Sequence, residues 1–352
     1  MAEDNVTLAI GGELHEGWTS CSVSRGIDAM VGSFSVTLAT RWADRPERFA
    51  LEAGAACEVR VGGETLITGW IDRLSPAFDA RDHRITISGR DKACDLVDCS
   101  AIAKPGSWSN IALEALAAEL ARPFGVSVRA TAPTGAPIRR FALQQGETVQ
   151  AAIERLARYR GLLAVSAADG TVELITPAIA GAPVARLAEG DNIKVGAADH
   201  DVSERFSEYL AKGQASGDDF ANGRTVASPS ATATDPGVRR HRPLIVIGED
   251  QSDAAGLQQR ARWEATSRAG RAQPATVTVQ GWRRPDGRLW APNAIVDLQS
   301  PSLFMRGAML IERVDLTKGD AGTEAVLALV PPAAWSQLAV PEEARASRVG
   351  AA

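Results

Sequence analysis

One strand pattern occurs twice in this 352-residue chain, once near each end, and it constrains the fold more than any other feature. The first copy reads Gly69-Trp70-Ile71-Asp72-Arg73-Leu74, with Cys57-Glu58-Val59-Arg60-Val61 before it and the alternating run Ile85-Thr86-Ile87-Ser88-Gly89 after it. The second reads Met309-Leu310-Ile311-Glu312-Arg313-Val314, flanked in the same order by Ala294-Ile295-Val296-Asp297-Leu298 and Ala325-Val326-Leu327-Ala328-Leu329. Alternating apolar and polar residues mark half-buried strands, and similarity at a fixed offset is the trace of a duplicated structural unit. The pattern therefore predicts two related small antiparallel β-barrel domains in one chain.

The chain is longer than one ordinary core, so it divides. Residues 1–95 read as the first β-barrel domain, with Gly62-Gly63 as a two-residue hairpin turn, since both glycines tolerate positive φ. Residues 96–182 change period and read as an α+β middle domain. There, residues 107–110 offer capping side chains, and Leu113, Leu116, Ala117 and Leu120 form the stripe of an amphipathic helix that Pro123 ends. A second helix begins near Thr148 with Val149, Ile153, Leu156 and Ala157 on one face, and Asp169-Gly170 then turns a hairpin. Residues 183–332 read as the second β-barrel domain, with residues 202–214 its clearest strand. It is split at about 217–275 by a loop and helix insertion. The insertion holds an aperiodic polar stretch at 217–237, an apolar run at Leu244-Ile245-Val246-Ile247, and a helix capped by Ser252 with Leu257, Ala261 and Ala265 on its buried side. Residues 333–352 read as a flexible C-terminal tail. The fold class is α+β, mainly β.

A formal net charge of −5, with 45% hydrophobic and 23% charged residues, is ordinary globular composition and argues against a general nucleic-acid binder. No apolar run of membrane-spanning length exists, and the acidic start Met1-Ala2-Glu3-Asp4-Asn5 lacks the marks of a signal peptide, so folding in a cytoplasm and no membrane insertion are expected. Cys21, Cys57, Cys94 and Cys99 are read as buried or inert thiols, because a reducing compartment and a large core remove the need for disulfides and the spacing of Cys94 and Cys99 suits zinc poorly. His15, His83, His200 and His241 are scattered. In Asp199-His200-Asp201, strand alternation would turn the ligands to opposite faces. The cluster Arg239-Arg240-His241-Arg242 reads as a solvated loop. No nucleophile elbow and no phosphate loop are present, so no catalytic residue, cofactor or metal is expected.

Several pieces in order along the chain resemble the baseplate hub proteins of Mu-like contractile-tailed bacteriophages. They are Ser88-Gly89-Arg90-Asp91 leading to Asp95-Leu96-Val97-Asp98-Cys99-Ser100, then Tyr209-Leu210-Ala211-Lys212-Gly213-Gln214, Gly281-Trp282, and Gly287-Arg288-Leu289-Trp290-Ala291-Pro292-Asn293, closing on the Met309 strand and Leu329-Val330-Pro331-Pro332. The resemblance implies a homotrimeric ring in the virion tail baseplate, assembled in the bacterial host cytoplasm, that adapts a hexameric tail tube protein to a trimeric central spike protein. It also implies contacts to other baseplate proteins and a central channel through which DNA only passes. Two barrels in each of three chains supply the six similar surfaces that such an adaptor needs.

On this reading Asp72, Arg73, Glu312 and Arg313 are interface candidates, with Arg73 and Arg313 at equivalent positions facing carboxylates of neighbouring modules. Trp70, Trp282 and Trp290 are core or interface anchors. The segment Gly146-Glu147-Thr148-Val149 is similar to the start of a LysM-type module, a hint that extends over 146–176. It carries the alternative reading of a peptidoglycan-binding tail module or a cryptic cell-wall hydrolase.

Overall fold

The computed structural model describes residues 4–39, 52–79, 83–158, 160–213, 229–247 and 254–336. The chain opens with β1 (Val6–Ile10), β2 (Glu13–His15), β3 (Ser20–Gly26) and β4 (Ser33–Ala39). The first copy of the repeat follows as β5 (Ala56–Val61), β6 (Glu64–Phe78) and β7 (His83–Asp91). Gly62 (φ 54°) and Gly63 (φ 86°) turn the hairpin between β5 and β6, as their pairing in the sequence predicts.

A middle unit comes next, built from α1 (Cys94–Asp98), β8 (Ser107–Ile111), α2 (Leu113–Ala121), β9 (Val128–Ala130), β10 (Ile138–Ala142), α3 (Val149–Arg158), β11 (Leu163–Ser166) and β12 (Val172–Ile175). Leu113, Leu116, Ala117 and Leu120 of α2 pack against Val149, Ile153, Leu156 and Ala157 of α3 in its own core, on the stripes the periodicity marked. β11 and β12 form the expected hairpin around Asp169-Gly170. Residues 107–110 do not cap α2. They form β8, paired with β10, and the helix starts after Ala112 with no side-chain cap, because the ladder claims the serines first. Thr148 does cap α3, its Oγ1 accepting from the Ala151 N–H at 3.2 Å.

After β13 (Arg186–Ala188) and β14 (Ile193–Ala198), a second three-stranded sheet intervenes: β15 (Glu208–Lys212), β16 (Ser230–Thr234) and β17 (Pro243–Ile247). It is covered by α4 (Ala254–Arg271), whose Leu257, Ala261 and Ala265 pack on Tyr209 and Ala211. The strand read over 202–214 is therefore shorter than expected and belongs to this separate sheet. Its alternation marks a strand, but alternation carries no information about which sheet accepts it. β16 likewise lies inside the stretch read as an aperiodic loop. Ser252, residues 217–228 and residues 337–352 of the tail lie outside the described residues.

The second copy of the repeat closes the fold as β18 (Ala275–Gln280), β19 (Ile295–Ser300), β20 (Met305–Gly319) and β21 (Gly322–Val330). One thirteen-stranded sheet system runs through both lobes, in the order β14-β18-β21-β20-β3-β4-β7-β6-β5-β1-β2, with β19 on β20 and β13 on β19. A continuous core spans the lobes, from Val6, Leu8 and Ile71 in the first to Trp282, Leu298 and Leu329 in the second.

Candidate assembly surface

The duplication survives at the level of single residues. β5, β6 and β7 have 6, 15 and 9 residues, and β19, β20 and β21 repeat those lengths. In each copy the long strand pairs with its predecessor through one half and its successor through the other, and the ladder slips by one residue between the halves. The slip falls between Ile71 and Arg73 in β6 and between Ile311 and Arg313 in β20. The extra residues are Asp72 and Glu312. A bulge bends its strand and increases twist, which lets one fifteen-residue strand turn a corner and serve two neighbours.

The two bulge carboxylates are used differently. Asp72 accepts from Arg90 Nε at 2.7 Å, and Arg90 also reaches Asp98 at 2.8 Å, a network that lies half-exposed and lowers the Asp98 carboxyl below its usual range. Glu312 accepts from Trp335 Nε1 at 3.0 Å. Burial, with Asp28 nearby, raises its carboxyl above the ordinary glutamate range. Arg313 pairs with Asp28 at 2.8 Å, and Asp28 belongs to the β3–β4 turn of the other lobe. Arg73 has no ion pair among the described residues.

The lobes meet where β20 pairs antiparallel with β3, from Arg313 opposite Gly26 to Lys318 opposite Cys21. A cavity of about 420 Å³ opens beside this junction, lined in part by Val23, Arg25, Arg288, Trp290 and Leu316. Arg25 donates from Nη2 to the Ser166 carbonyl at 3.0 Å, tying the junction to the middle unit, and its burial lowers its pKa. Beneath it the buried Asp91 accepts from the N–H groups of Gly32 and Ala93, with desolvation raising its carboxyl.

Of the tryptophans, Trp282 is fully buried and donates to the carbonyls of Thr317 (2.9 Å) and Glu324 (3.1 Å). Trp290 is buried in the same core, so both pack within the second lobe, and Trp290 also lines the junction cavity. Trp70 is half-buried beside the Asp72 bulge. Among the described residues no group of three His, Cys, Asp or Glu side chains is placed to hold a metal, and no helix is long and apolar enough to cross a membrane. The Asp199-His200-Asp201 stretch lies past the end of β14, with His200 Nε2 on the Leu303 carbonyl at 2.9 Å and Asp201 holding Ser203. Arg242 is spent on the Ser203 and Arg205 carbonyls, leaving Arg239 and Arg240 exposed.

The signal that sequence reasoning missed is the bulge itself: Asp72 and Glu312 stand at the same place in each motif, yet a one-residue slip shows only once the partner strand is known.

Four family models tile the chain. They are Mu phage baseplate assembly protein GpP-like, N-terminal (residues 5–91), Baseplate hub protein gp44-like, second domain (93–176), Tail protein NMB1110-like, third domain (205–263), and Mu phage baseplate assembly protein GpP, fourth domain (253–337). The baseplate hub protein gp44 of Escherichia phage Mu is 34% identical over 338 residues, covering 93% of this chain and 88% of gp44. The 43 kDa tail protein of prophage MuSo2 from Shewanella oneidensis superimposes with a TM-score of 0.84 at 33% identity, over 95% of this chain and all of that one. The tail protein from Neisseria meningitidis MC58 follows at 0.78 and 25% identity, over 96% of this chain and 99% of that one. This chain therefore belongs to the family of Mu-like phage baseplate hub proteins, structural components of the virion tail baseplate that associate with other baseplate and tail components.

Proposed function

We propose that three copies of this chain form a ring at the end of the tail tube, with the two lobes of each copy alternating around a central channel. The ring presents six similar surfaces to a hexameric tube and three to a trimeric spike. It does its work by matching symmetries and seeding assembly, with no bond made or broken and DNA only passing through. The observation that carries this reading is the matched pair of β-units, equal in strand length and bulged at Asp72 and Glu312. A threefold object mates with a sixfold one only if each subunit offers two near-equivalent faces, and duplication within the chain is the direct way to supply them.

We further propose that the lobes and the middle unit act as separate modules: 1–95 and 183–332 build the ring, while 96–182 and the insertion face its partners. Mass measurement of the purified protein in solution, with particle images of the same sample, tests the reading. Three subunits with six lobes around a hole are expected; a monomer at micromolar concentration overturns it.

A further inference from the structure

We propose that subunits join by strand addition: the outer edge of β6, residues 73–78, pairs antiparallel with residues 196–201 of a second copy, reproducing between chains the β20–β3 junction that each chain makes internally. The proposal rests on the ring reading and names the contact that would build it.

The correspondence between lobes fixes which strands are equivalent. Asp72 and Glu312 align β6 with β20, and the residues facing them align β7 with β21, since Arg73 faces Ser88 as Arg313 faces Ala328. One strand further, Ser35 faces Ser88 as Thr276 faces Ala328, aligning β4 with β18. Another step on, Ser22 faces Ser35 as Ala197 faces Thr276, aligning β3 with β14. Each lobe thus carries a β6-type edge on one side and a β3-type edge on the other. Inside the chain, the β6-type edge of the second lobe meets the β3-type edge of the first. One edge of each type is left over: residues 73–78 of β6 and the outer side of β14. Among the described residues these pair only with β7 and β18, respectively.

Burial separates the used edges from the unused ones. Val314 and Leu316 are 2% and 3% exposed where β20 meets β3, while at the corresponding positions Leu74 is only half-buried and Pro76 is exposed. Phe78 stands 77% exposed at the end of the free edge of β6, and Val195 62% exposed on β14. A bare apolar strand edge is a template for pairing, and proteins leave one open where a partner strand is meant to fill it. Because one chain offers both complementary edges, the contact is head-to-tail, and such contacts build a ring where the rotation between copies closes.

Carrying the internal register across places Arg73 opposite Asp201 of the partner subunit and Ala77 opposite Ala197 of the partner subunit. Arg313 has its carboxylate in Asp28 across the internal junction, and Arg73 would find its own in the exposed Asp201, whose carboxyl the Ser203 N–H and hydroxyl keep below the usual range. Pro76 stands at the position of Leu316 and has no N–H, so this ladder has one donor fewer than the internal one.

The test is a disulfide. Directly opposed residues of an antiparallel pair have Cα atoms roughly 4.5–5.5 Å apart, within disulfide reach. Ala77→Cys with Ala197→Cys, in a Cys99→Ser background that removes the exposed native thiol, is oxidised and run on a non-reducing gel beside each single variant and the off-register pair Ala77→Cys with Lys194→Cys. Covalent dimers and trimers from the first pair alone, collapsing with reductant, are expected. A sample with three subunit masses in solution that stays uncrosslinked overturns the strand pairing and leaves the ring standing; a sample with one subunit mass overturns both.

Discussion

Deleting Glu312 separates the bulge from the carboxylate it carries. With one residue fewer, Ile311 opposite Leu329 is followed directly by Arg313 opposite Ala328, so the ladder closes without a slip and the alternation stays in phase, but the bend that carries β20 from β19 to β3 is lost. If the straightened half of β20 parts from β3, Val314 and Leu316 leave the core, where they are 2% and 3% exposed. Burying an aliphatic side chain contributes about 1.5–3 kcal/mol, so these two lose about 3–6 kcal/mol. That is a large share of the roughly 5–15 kcal/mol that holds a typical domain together. Glu312→Ala keeps the residue count and the bulge. It loses the Trp335 hydrogen bond but also removes a partly buried carboxylate, so its effect is expected to stay within about 1.5 kcal/mol. Urea unfolding followed by tryptophan fluorescence and circular dichroism compares the two variants. Equal midpoints for the deletion and the substitution would refute the argument, since the side chain and not the extra residue would then carry the effect.

Three further outcomes follow from the geometry. Asp235→Ala strands the Arg205 guanidinium, which is bound through two hydrogen bonds of 2.8 Å and 12% exposed, and is expected to cost about 3–5 kcal/mol in chemical denaturation. Arg205 holds the Asp235 carboxyl below its usual range, so the pair's contribution is complete above the unfolded aspartate pKa of about 3.9 and is lost as pH falls through the lower folded value. The stability gap between wild type and variant should therefore close in acid. Burial pushes the thiols of Cys57 and Cys94 up to about 12 and Cys21 up to about 11, so a chromogenic disulfide reagent at pH 8 should titrate only Cys99 in the native protein and all four after denaturation. At Gly89 an added Cβ would lie 2.0 Å from the Trp70 carbonyl and 2.7 Å from the Phe34 ring, so Gly89→Ala should destabilise by about 1–3 kcal/mol or more. Gly319→Ala meets nothing within 4 Å and should stay within about 0.5 kcal/mol, which melting curves of the two variants would show.

Much of the local structure was legible because its cause is local. The Gly62-Gly63 turn, the stripe from Leu113 to Leu120, the helix start near Thr148 and the Asp169-Gly170 hairpin depend on neighbours within a few residues. The repeat around Asp72 and Glu312 was legible because duplication leaves its mark on residue order. The misreadings have the opposite cause. Residues 107–110 had the chemistry of a cap, and only β10, some thirty residues on, turned them into a strand. The alternation within 202–214 was right for β15, but its sheet was chosen by β16, β17 and the packing of α4 on Tyr209.

By itself, then, the order of residues determined that two similar β-units flank a mixed middle unit, because side-chain period and turn chemistry are short-range properties. Tertiary structure alone decided that both lobes share one sheet and one core, that Trp282 is spent inside it, and that residues 73–78 of β6 and the outer side of β14 have no second partner strand among the described residues. Strand partners far apart in the chain are selected by which faces can be buried together, and that selection is made only when the whole chain is packed.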